Sequence, residues 1–394
     1  MSVFFKGKKR IAVIMAAVVT LMNAAPVFGA ESAPSLNVNA RSAVLMEPSS
    51  GIALLEQNPH DKFPPASVTK IMTLLLIYES VERGKIKWDD VVTVSDHAAS
   101  MGGSQIFLEP LEQQTVRDLT KSVVVASAND AAVALAEFIA GSEDGFVLMM
   151  NNKAKELDMN NTNFINACGL DTDGHMTSAY DIALMTRELI TKYPTIYDYS
   201  KIWMDTITHK TARGESEFGL SNTNKLIKAY NGATGLKTGS TSQALFCISA
   251  TANRDGMDLV SVIMGAPDSK TRFHEAVKML DYGFANFSLM KGDEAGKIID
   301  AIKVIKGNVE IVDVSVKSQV SCIVPKGKAG TLEGKAELLD ALNAPAAKGS
   351  KAGEIVYYFE GEEVGRSDLV TCEEVEKARF GDTMKRVIKD WLKH

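Results

Sequence analysis

The sequence pattern changes near residue 290, and this change limits the possible folds more than any other feature of the chain. Up to about residue 286, segments with helical spacing alternate with short apolar segments typical of strands. Beyond residue 291 the apolar segments are short and separated by turn residues, which predicts strands. Because a chain of this length exceeds one comfortable core, we predict an α+β domain over 35–286 and a β-rich domain over 292–375.

The order of the elements in the first region predicts a sheet whose strands come from the two ends of that region, with a helical cluster inserted between them in the chain. Helical patterns begin at residues 67 and 130, and a further one covers 272–284. Strand patterns occur at 43–46, 52–55, 232–239, 244–252 and 259–264.

The first 29 residues have the composition of a secretory signal peptide. Lys6, Lys8, Lys9 and Arg10 precede a short apolar stretch, and small residues follow it. An uncleaved anchor is the less favoured alternative, because a mostly apolar segment of twelve residues, 11–22, is short for a membrane span. Loss of these four positive charges changes the formal net charge from -6 to -10. So acidic a protein is not expected to bind nucleic acid, since phosphate binding needs a basic surface.

The last 18 residues, 377–394, predict an amphipathic helix. Its basic composition and apolar stripe suit an anionic membrane surface, which would place the exported protein on the outer face of the cytoplasmic membrane. A terminal helix packed on its own protein is the alternative. The residues of the apolar stripe are Phe380, Met384, Val387, Ile388, Trp391 and Leu392.

The cysteines and histidines give no sign of a metal site. The histidines show no H-x-H or H-E-x-x-H spacing, so we expect no zinc and no other cofactor. Cys168, Cys247, Cys322 and Cys372 are widely separated and do not predict a disulfide framework, although a bond between Cys322 and Cys372 stays open.

Ser67 and Lys70 form the first of three short motifs that carry chemistry. Three residues apart on a helix, the hydroxyl and the amine share one face. A serine needs a base to become a nucleophile, and a lysine can act as that base when its pKa is lowered. The motif alone is weak, because Ser288 and Lys291 have the same spacing.

The other two motifs supply further polar groups. Ser127 and Asn129 precede the helix that begins at residue 130, where a hydroxyl can relay a proton and an amide can hold a substrate backbone. An ordinary helix N-cap is the alternative there. Lys237–Ser240 lies on a predicted strand after Gly235, and its lysine and hydroxyls could hold a carboxylate unless it is simply an exposed turn.

Together and in this order, the three motifs resemble the low-molecular-mass penicillin-binding proteins of the D-alanyl-D-alanine carboxypeptidase family. The resemblance covers nearly the whole mature chain. It implies a β-lactamase/transpeptidase-like catalytic domain, then a small β-rich domain and an amphipathic tail. Further matching segments are 65–73, 103–108, 127–131, 169–170, 174–179, 223–226 and 235–239.

The resemblance also implies a role for each motif residue. Ser67 would form the acyl-enzyme, Lys70 would be its base and Ser127 would transfer the proton. The backbone N–H groups of Ser67 and Ser240 would form the oxyanion hole. Arg272 would be aimed at the terminal carboxylate, with a surface ion pair to Glu275 as the alternative. The substrate-binding residues would be Asn129, Lys237, Thr238, Ser240 and Arg272.

The reaction so implied is removal of the terminal D-alanine from peptidoglycan stem pentapeptides, with β-lactams as inhibitors. A D,D-endopeptidase or transpeptidase differs only in the bond or acceptor used, which the sequence does not reveal. A β-lactamase would need a further base, for which Glu156 is the candidate, and a non-catalytic wall-binding module would have lost a motif residue. Three positions depart from the family pattern: Leu111, Cys168 and Leu245.

Overall fold

The computed structural model describes residues 36–328, 330–382, 384 and 391; the predicted signal peptide and most of the predicted C-terminal helix lie outside them. The described residues form two units. The first unit consists of 36–292 with 321–328 and 330–332, and the second of 293–320 and 333–382 with 384 and 391. The domain limits drawn from the sequence stay predictions.

The helices of the described residues, in chain order, are α1 (Lys70–Glu82), α2 (Asp96–Ala99), α3 (Val116–Val125), α4 (Asn129–Ala140), α5 (Glu143–Glu156), α6 (Ala179–Lys192), α7 (Ile196–Ser200), α8 (Leu226–Ala229) and α9 (Ser269–Asn286). The strands up to residue 291 are β1 (Ser42–Glu47), β2 (Ile52–Gln57), β3 (Val91–Thr93), β4 (Gln113–Thr115), β5 (Met204–Thr211), β6 (Gly214–Ser221), β7 (Ala233–Thr241), β8 (Leu245–Arg254), β9 (Met257–Ala266) and β10 (Phe287–Lys291). The later strands are β11 (Ile298–Ile305), β12 (Ile311–Val316), β13 (Ser321–Pro325), β14 (Glu333–Leu338), β15 (Leu342–Asn343), β16 (Lys351–Phe359) and β17 (Glu362–Thr371).

A five-stranded antiparallel sheet in the order β2-β1-β9-β8-β7 forms the centre of the first unit. Its strands come from both ends of the region, which confirms the predicted α+β plan. Side chains of β1 alternate between two cores, because Val44 and Met46 join the cluster around α1 while Ala43 and Leu45 join the cluster around α9. Helices therefore cover both faces of the sheet.

Helix α1 lies inside this unit. Its residues from Lys70 to Tyr78 are all buried, as expected for a helix that is apolar around most of its circumference. Lys70 is the first residue of α1, so the burial of the helix also removes its amine from bulk water. The sequence pattern had predicted that α1 begins at Ser67, but Ser67 lies in a preceding 3₁₀ turn, Ala66–Thr69.

The second unit is built from strands. Its main sheet has the order β14-β16-β17-β12-β11-β15, with β11 and β15 parallel and the other pairs antiparallel. Val314, Ile355, Tyr357, Phe359 and Leu369 are among its most buried side chains. This architecture confirms the predicted β-rich C-terminal domain. Among helices within residues 36–328 and 330–382, none is long and apolar enough to cross a bilayer.

Candidate active site

Ser67 lies against the free edge of the central sheet. β7 is the last strand of that sheet and pairs only with β8 within it. A Cβ atom on Gly239 would lie 2.7 Å from the backbone nitrogen of Ser67 and 2.9 Å from that of Val68. Only glycine allows β7 to come this close to the 3₁₀ turn, so the first and third motifs meet in space.

The 3₁₀ turn itself brings Ser67 and Lys70 together, because side chains at i and i+3 eclipse one another in that geometry. Lys70 Nζ lies 3.0 Å from Ser67 Oγ. It also donates to Asn129 Oδ1 at 2.5 Å and to the backbone carbonyl of Cys168 at 2.6 Å. The amine is thus held by three oxygens, one of which belongs to the predicted nucleophile.

The side chain of Lys70 is fully buried. Burial disfavours the charged ammonium and lowers the pKa of Lys70 to about 8, against weaker opposing contributions from Cys168 and Asp130. A lysine with this pKa is partly neutral near pH 7, so it can accept a proton from Ser67.

Ser127 and Lys237 form a second pair at the same site. Lys237 Nζ donates to Ser127 Oγ at 2.8 Å and to the carbonyl of Thr238 at 3.0 Å. Burial lowers the pKa of Lys237 well below its usual value, and repulsion from Lys70 and Arg272 lowers it further. Ser127 has a positive φ of 60°, a conformation that serine rarely adopts and that occurs at functional sites.

Asn129 uses both ends of its side-chain amide inside the protein. Its Oδ1 accepts from Lys70, and its Nδ2 donates to the carbonyl of Gly102 at 2.6 Å. The reverse orientation would direct an NH₂ group at an ammonium and an oxygen at a carbonyl, so these partners fix the orientation. In the substrate-free site Asn129 therefore orients Lys70, and its predicted contact with the peptide stays a prediction.

The remaining predicted binding residues lie on or behind β7. Thr238 Oγ1 donates to Thr223 Oγ1 at 2.8 Å, and Ser240 is exposed at the strand edge. Arg272 is buried and donates to the carbonyls of Gly239 at 3.0 Å and Cys247 at 3.2 Å. The alternative of a surface ion pair is wrong, because Arg272 is 6% exposed while Glu275 pairs with Lys278.

His175 also contacts the nucleophile's turn. Its Nε2 lies 2.8 Å from Thr69 Oγ1, whose own hydrogen is donated to the carbonyl of Ala66, so Nε2 must carry the proton. Its Nδ1 accepts from the backbone N–H of Ile165 at 2.9 Å. Burial lowers the pKa of His175 to about 4, so the ring is neutral and both nitrogens are occupied. This geometry gives His175 a structural role and leaves no nitrogen free as a base.

Sequence reasoning did not identify the contribution of the segment around Cys168. The backbone carbonyl of Cys168 accepts a hydrogen bond from Lys70, and a contact made by the backbone cannot be recognised from residue types. The neighbouring Gly169 has φ 89°, and a Cβ there would lie 1.9 Å from the carbonyl oxygen of Ala66. The Gly169-Leu170 match in the sequence was the available signal, because a required glycine marks a close backbone approach. All the cysteines, Cys168 included, are free thiols.

The comparisons with known proteins agree with this geometry. A family model described as D-alanyl-D-alanine carboxypeptidase matches residues 28–268, and one described as penicillin-binding protein 5, C-terminal domain, matches residues 287–377. D-alanyl-D-alanine carboxypeptidase DacF from Bacillus subtilis is 41% identical over 355 residues, which are 90% of each chain.

Solved structures give the same result. Penicillin binding protein 5 from Haemophilus influenzae superposes with a TM-score of 0.72 at 34% identity, covering 87% of this chain and 99% of that one. Penicillin-binding protein D2 from Listeria monocytogenes, in an ampicillin-bound form, gives a TM-score of 0.54 at 32% identity, covering 64% of this chain and 99% of that one.

A serine and a buried lysine beneath the free edge of an antiparallel sheet define the class of serine peptidases that work without a histidine base. Within that class, the chain belongs to the D-alanyl-D-alanine carboxypeptidase family. The resemblance seen in the sequence is therefore confirmed, and the chain is a serine-type carboxypeptidase.

Proposed function

We propose that this enzyme removes the terminal D-alanine from peptidoglycan stem peptides through an ester on Ser67. The observation that carries the proposal is the 3.0 Å contact between Ser67 Oγ and the buried amine of Lys70. A neutral Lys70 takes the hydroxyl proton as Oγ attacks the carbonyl carbon of the penultimate D-alanine. The negative oxygen that results is stabilised by the backbone N–H groups of Ser67 and Ser240.

The leaving group needs a proton when the peptide bond breaks. Ser127 donates its hydroxyl proton to the nitrogen of the departing D-alanine. Lys70 then gives Ser127 the proton that it took from Ser67. Water then hydrolyses the ester and returns Ser67 to its free form. The 2.8 Å bond from Lys237 to Ser127 Oγ fixes the hydroxyl in place for this transfer.

The substrate carboxylate binds along β7. Ser240 is exposed at this open strand edge, and the buried amine of Lys237 and hydroxyl of Thr238 lie on the same strand, a pattern suited to a carboxylate beside an extended peptide. Arg272 lies behind the strand and adds positive charge, although in the free enzyme its guanidinium is occupied by the Gly239 and Cys247 carbonyls.

The acceptor of the acyl group decides between carboxypeptidase and transpeptidase or endopeptidase activity, and we propose water as the main acceptor. A β-lactamase would need a base beside the ester. Glu156 does not supply one, because it lies at the exposed end of α5 and pairs with Lys153.

Purified enzyme tests this proposal with a pentapeptide that ends in D-Ala-D-Ala. We expect release of free D-alanine and, with a β-lactam, a mass adduct on Ser67. Ampicillin is a suitable probe, since the Listeria relative holds it in its structure. Ser67→Ala should abolish both signals, whereas Ser288→Ala, in strand β10, should leave both unchanged. An adduct on Ser127 or Ser288 would contradict the assignment.

We further propose that residues 1–29 direct export and that residues 377–394 bind an anionic membrane surface. Three residues of the predicted stripe are described, and each is exposed: Phe380 by 82%, Met384 by 52% and Trp391 by 80%. Large apolar side chains at helical spacing and open to solvent favour a membrane-facing helix over one packed on its own protein.

A further inference from the structure

The carbonyl that contacts Lys70 belongs to a tight turn organised by one side chain. Asn166 Oδ1 accepts from the backbone N–H groups of Gly169 at 2.6 Å, Leu170 at 3.2 Å and Cys168 at 3.3 Å. Asn166 Nδ2 donates to the carbonyl of Leu170 at 2.9 Å and to Thr172 Oγ1 at 3.2 Å. This one amide thus fixes the backbone on both sides of Cys168.

The contacts of Lys70 explain why the direction of that carbonyl matters. A neutral lysine has two N–H bonds and one lone pair. Asn129 Oδ1 and the Cys168 carbonyl can only accept hydrogen bonds, so they take both N–H bonds of the neutral amine. The lone pair is then left to face the hydroxyl of Ser67, which is the orientation that proton transfer requires.

We propose that Asn166 is a positioning residue for acylation: by holding the Cys168 carbonyl, it turns the lone pair of Lys70 toward Ser67. The inference rests on the proposed function and adds to it a residue outside the three motifs. Asn166 does not bond to Lys70, Ser67 or the strand that receives the substrate, and it acts through the Cys168 backbone.

Other bonds hold the same segment in place, so loss of Asn166 should have a local effect. The carbonyl of Ala167 accepts from Thr73 Oγ1 at 2.6 Å, and its N–H donates to Glu143 Oε1 at 2.8 Å. Farther along, Thr241 Oγ1 donates to Asp171 Oδ1 at 2.7 Å. Hydrogen bonds therefore connect the segment to α1, α5 and β7 at its two ends, and Asn166 determines the backbone path between them.

Asn166→Ala provides the direct test, measured as the rate of Ser67 acylation by a β-lactam across pH. We expect the limiting rate at alkaline pH to fall about ten- to a hundredfold, because the amine is neutral there and only its orientation is lost. The dissociation constant of the initial β-lactam complex should stay close to that of the parent. A merely structural role would lower the melting temperature and leave the limiting rate of the folded enzyme unchanged, which would overturn the proposal.

Asn166→Asp separates orientation from charge. The carboxylate keeps an acceptor for the three backbone N–H groups but cannot donate to the Leu170 carbonyl, so the alkaline limiting rate should fall by less than the ten- to hundredfold expected for Asn166→Ala. Its negative charge favours the ammonium of Lys70, so the midpoint of the pH profile should move to higher pH. A limiting rate that falls as far below that of the parent as is expected for Asn166→Ala would contradict the proposal, and this comparison does not require the alanine variant to fold.

Asn163→Ala is the matched control. Asn163 lies three residues earlier, is exposed, and donates to the carbonyl of Gly174 at 3.0 Å. Its removal should leave the acylation rate unchanged, and a loss equal to that of Asn166→Ala would mean that any weakening of this segment has the same effect. If the parent enzyme forms no adduct on Ser67, the proposed function is wrong. If the parent enzyme forms the adduct and Asn166→Ala is acylated at the same limiting rate, only the role proposed for Asn166 is wrong.

Discussion

At the scale of single residues, the protonation of Lys70 should control the rate. With a pKa of about 8, roughly a tenth of Lys70 is neutral at pH 7 and nearly all of it above pH 9. Because the neutral form is the proposed base, acylation should rise with pH through about 8 and then level off. Stopped-flow or quenched acylation with a β-lactam measures this profile.

Lys70→Arg should lose acylation while keeping a positive charge, because a guanidinium does not deprotonate at usable pH. A fall of about 10² to 10⁴ in rate is expected from removal of a general base. Near-normal acylation by this variant would place the base elsewhere. His175 would not be the obvious substitute, since both of its ring nitrogens are engaged.

Leu111 departs from the family pattern and shows strain in the structure. Its φ is 66°, and its side chain is 79% exposed. A leucine in the left-handed region costs about 1–2 kcal/mol, and glycine removes this cost. Glycine loses about 0.5–1 kcal/mol more backbone entropy on folding, so only part of the gain remains. Leu111→Gly should therefore raise the free energy of unfolding by roughly 0.5–1 kcal/mol, measured by urea denaturation.

Leu148→Gly is the control for this prediction. Leu148 is also exposed, by 67%, but lies in α5 with helical backbone angles. The same substitution should there lower the free energy of unfolding by about 0.5–1 kcal/mol. Equal destabilisation at both positions would show that Leu111 carries no strain.

The motif residues could be predicted from the sequence because their spacing and order are specific, and Ser67, Lys70, Ser127 and Lys237 do meet at one site. The ligands of Lys70 could be predicted only in part. Asn129 belongs to a motif, but its bond to Lys70 was not expected, and Cys168 contributes a backbone oxygen that any residue has. Arg272 was expected near the substrate carboxylate, whereas it donates to two backbone carbonyls and to Ser269 Oγ.

At the scale of elements, the contact between β7 and the 3₁₀ turn should be essential. Gly239→Ala would place a methyl group 2.7 Å from the nitrogen of Ser67, so the strand and the turn must separate. Since Ser67 N is a proposed oxyanion donor, acylation should fall by about 10² to 10³. Gly219→Ala, where a Cβ would meet nothing within 4 Å on β6, should leave the rate unchanged. Near-parental acylation by Gly239→Ala would show that the turn tolerates the shift.

Elements with apolar periodicity were predictable, and the polar hairpin β5–β6 was not. In β5 the buried positions are Ile207 and His209, and in β6 the buried position is Leu220. Such a hairpin lacks the regular apolar alternation by which strands are recognised. Ser288 and Lys291 illustrate the opposite case, since their motif-like spacing falls on strand β10, where residues three apart point to opposite faces.

At the scale of the whole molecule, the tail should confer membrane binding. Residues 377–394 carry six basic and two acidic side chains on an otherwise acidic protein. Each basic residue near an anionic surface contributes about 1 kcal/mol, and the apolar stripe adds a salt-independent part. The mature enzyme should therefore sediment with anionic vesicles, less so as salt rises, with some residual binding.

Deletion from Arg379 onward is the matched variant. The chain remains bonded as far as Ala378, whose N–H donates to the carbonyl of Lys306 at 2.8 Å, so the cut leaves the second unit's pairing intact. The truncated enzyme should stay in the supernatant and still release D-alanine from a pentapeptide. Equal sedimentation of both forms would show that the helix is no anchor.

The position of β13 has a consequence for synthesis. β13 pairs with β10 inside the first unit, yet in the chain it follows β11 and β12 of the second. On a ribosome, β10 therefore emerges long before its partner and leaves an unpaired strand edge on the nascent chain. The catalytic half is not complete until about residue 332 has been made. A gene shortened to end at residue 292 would encode a protein with that edge permanently open, which is a site for aggregation.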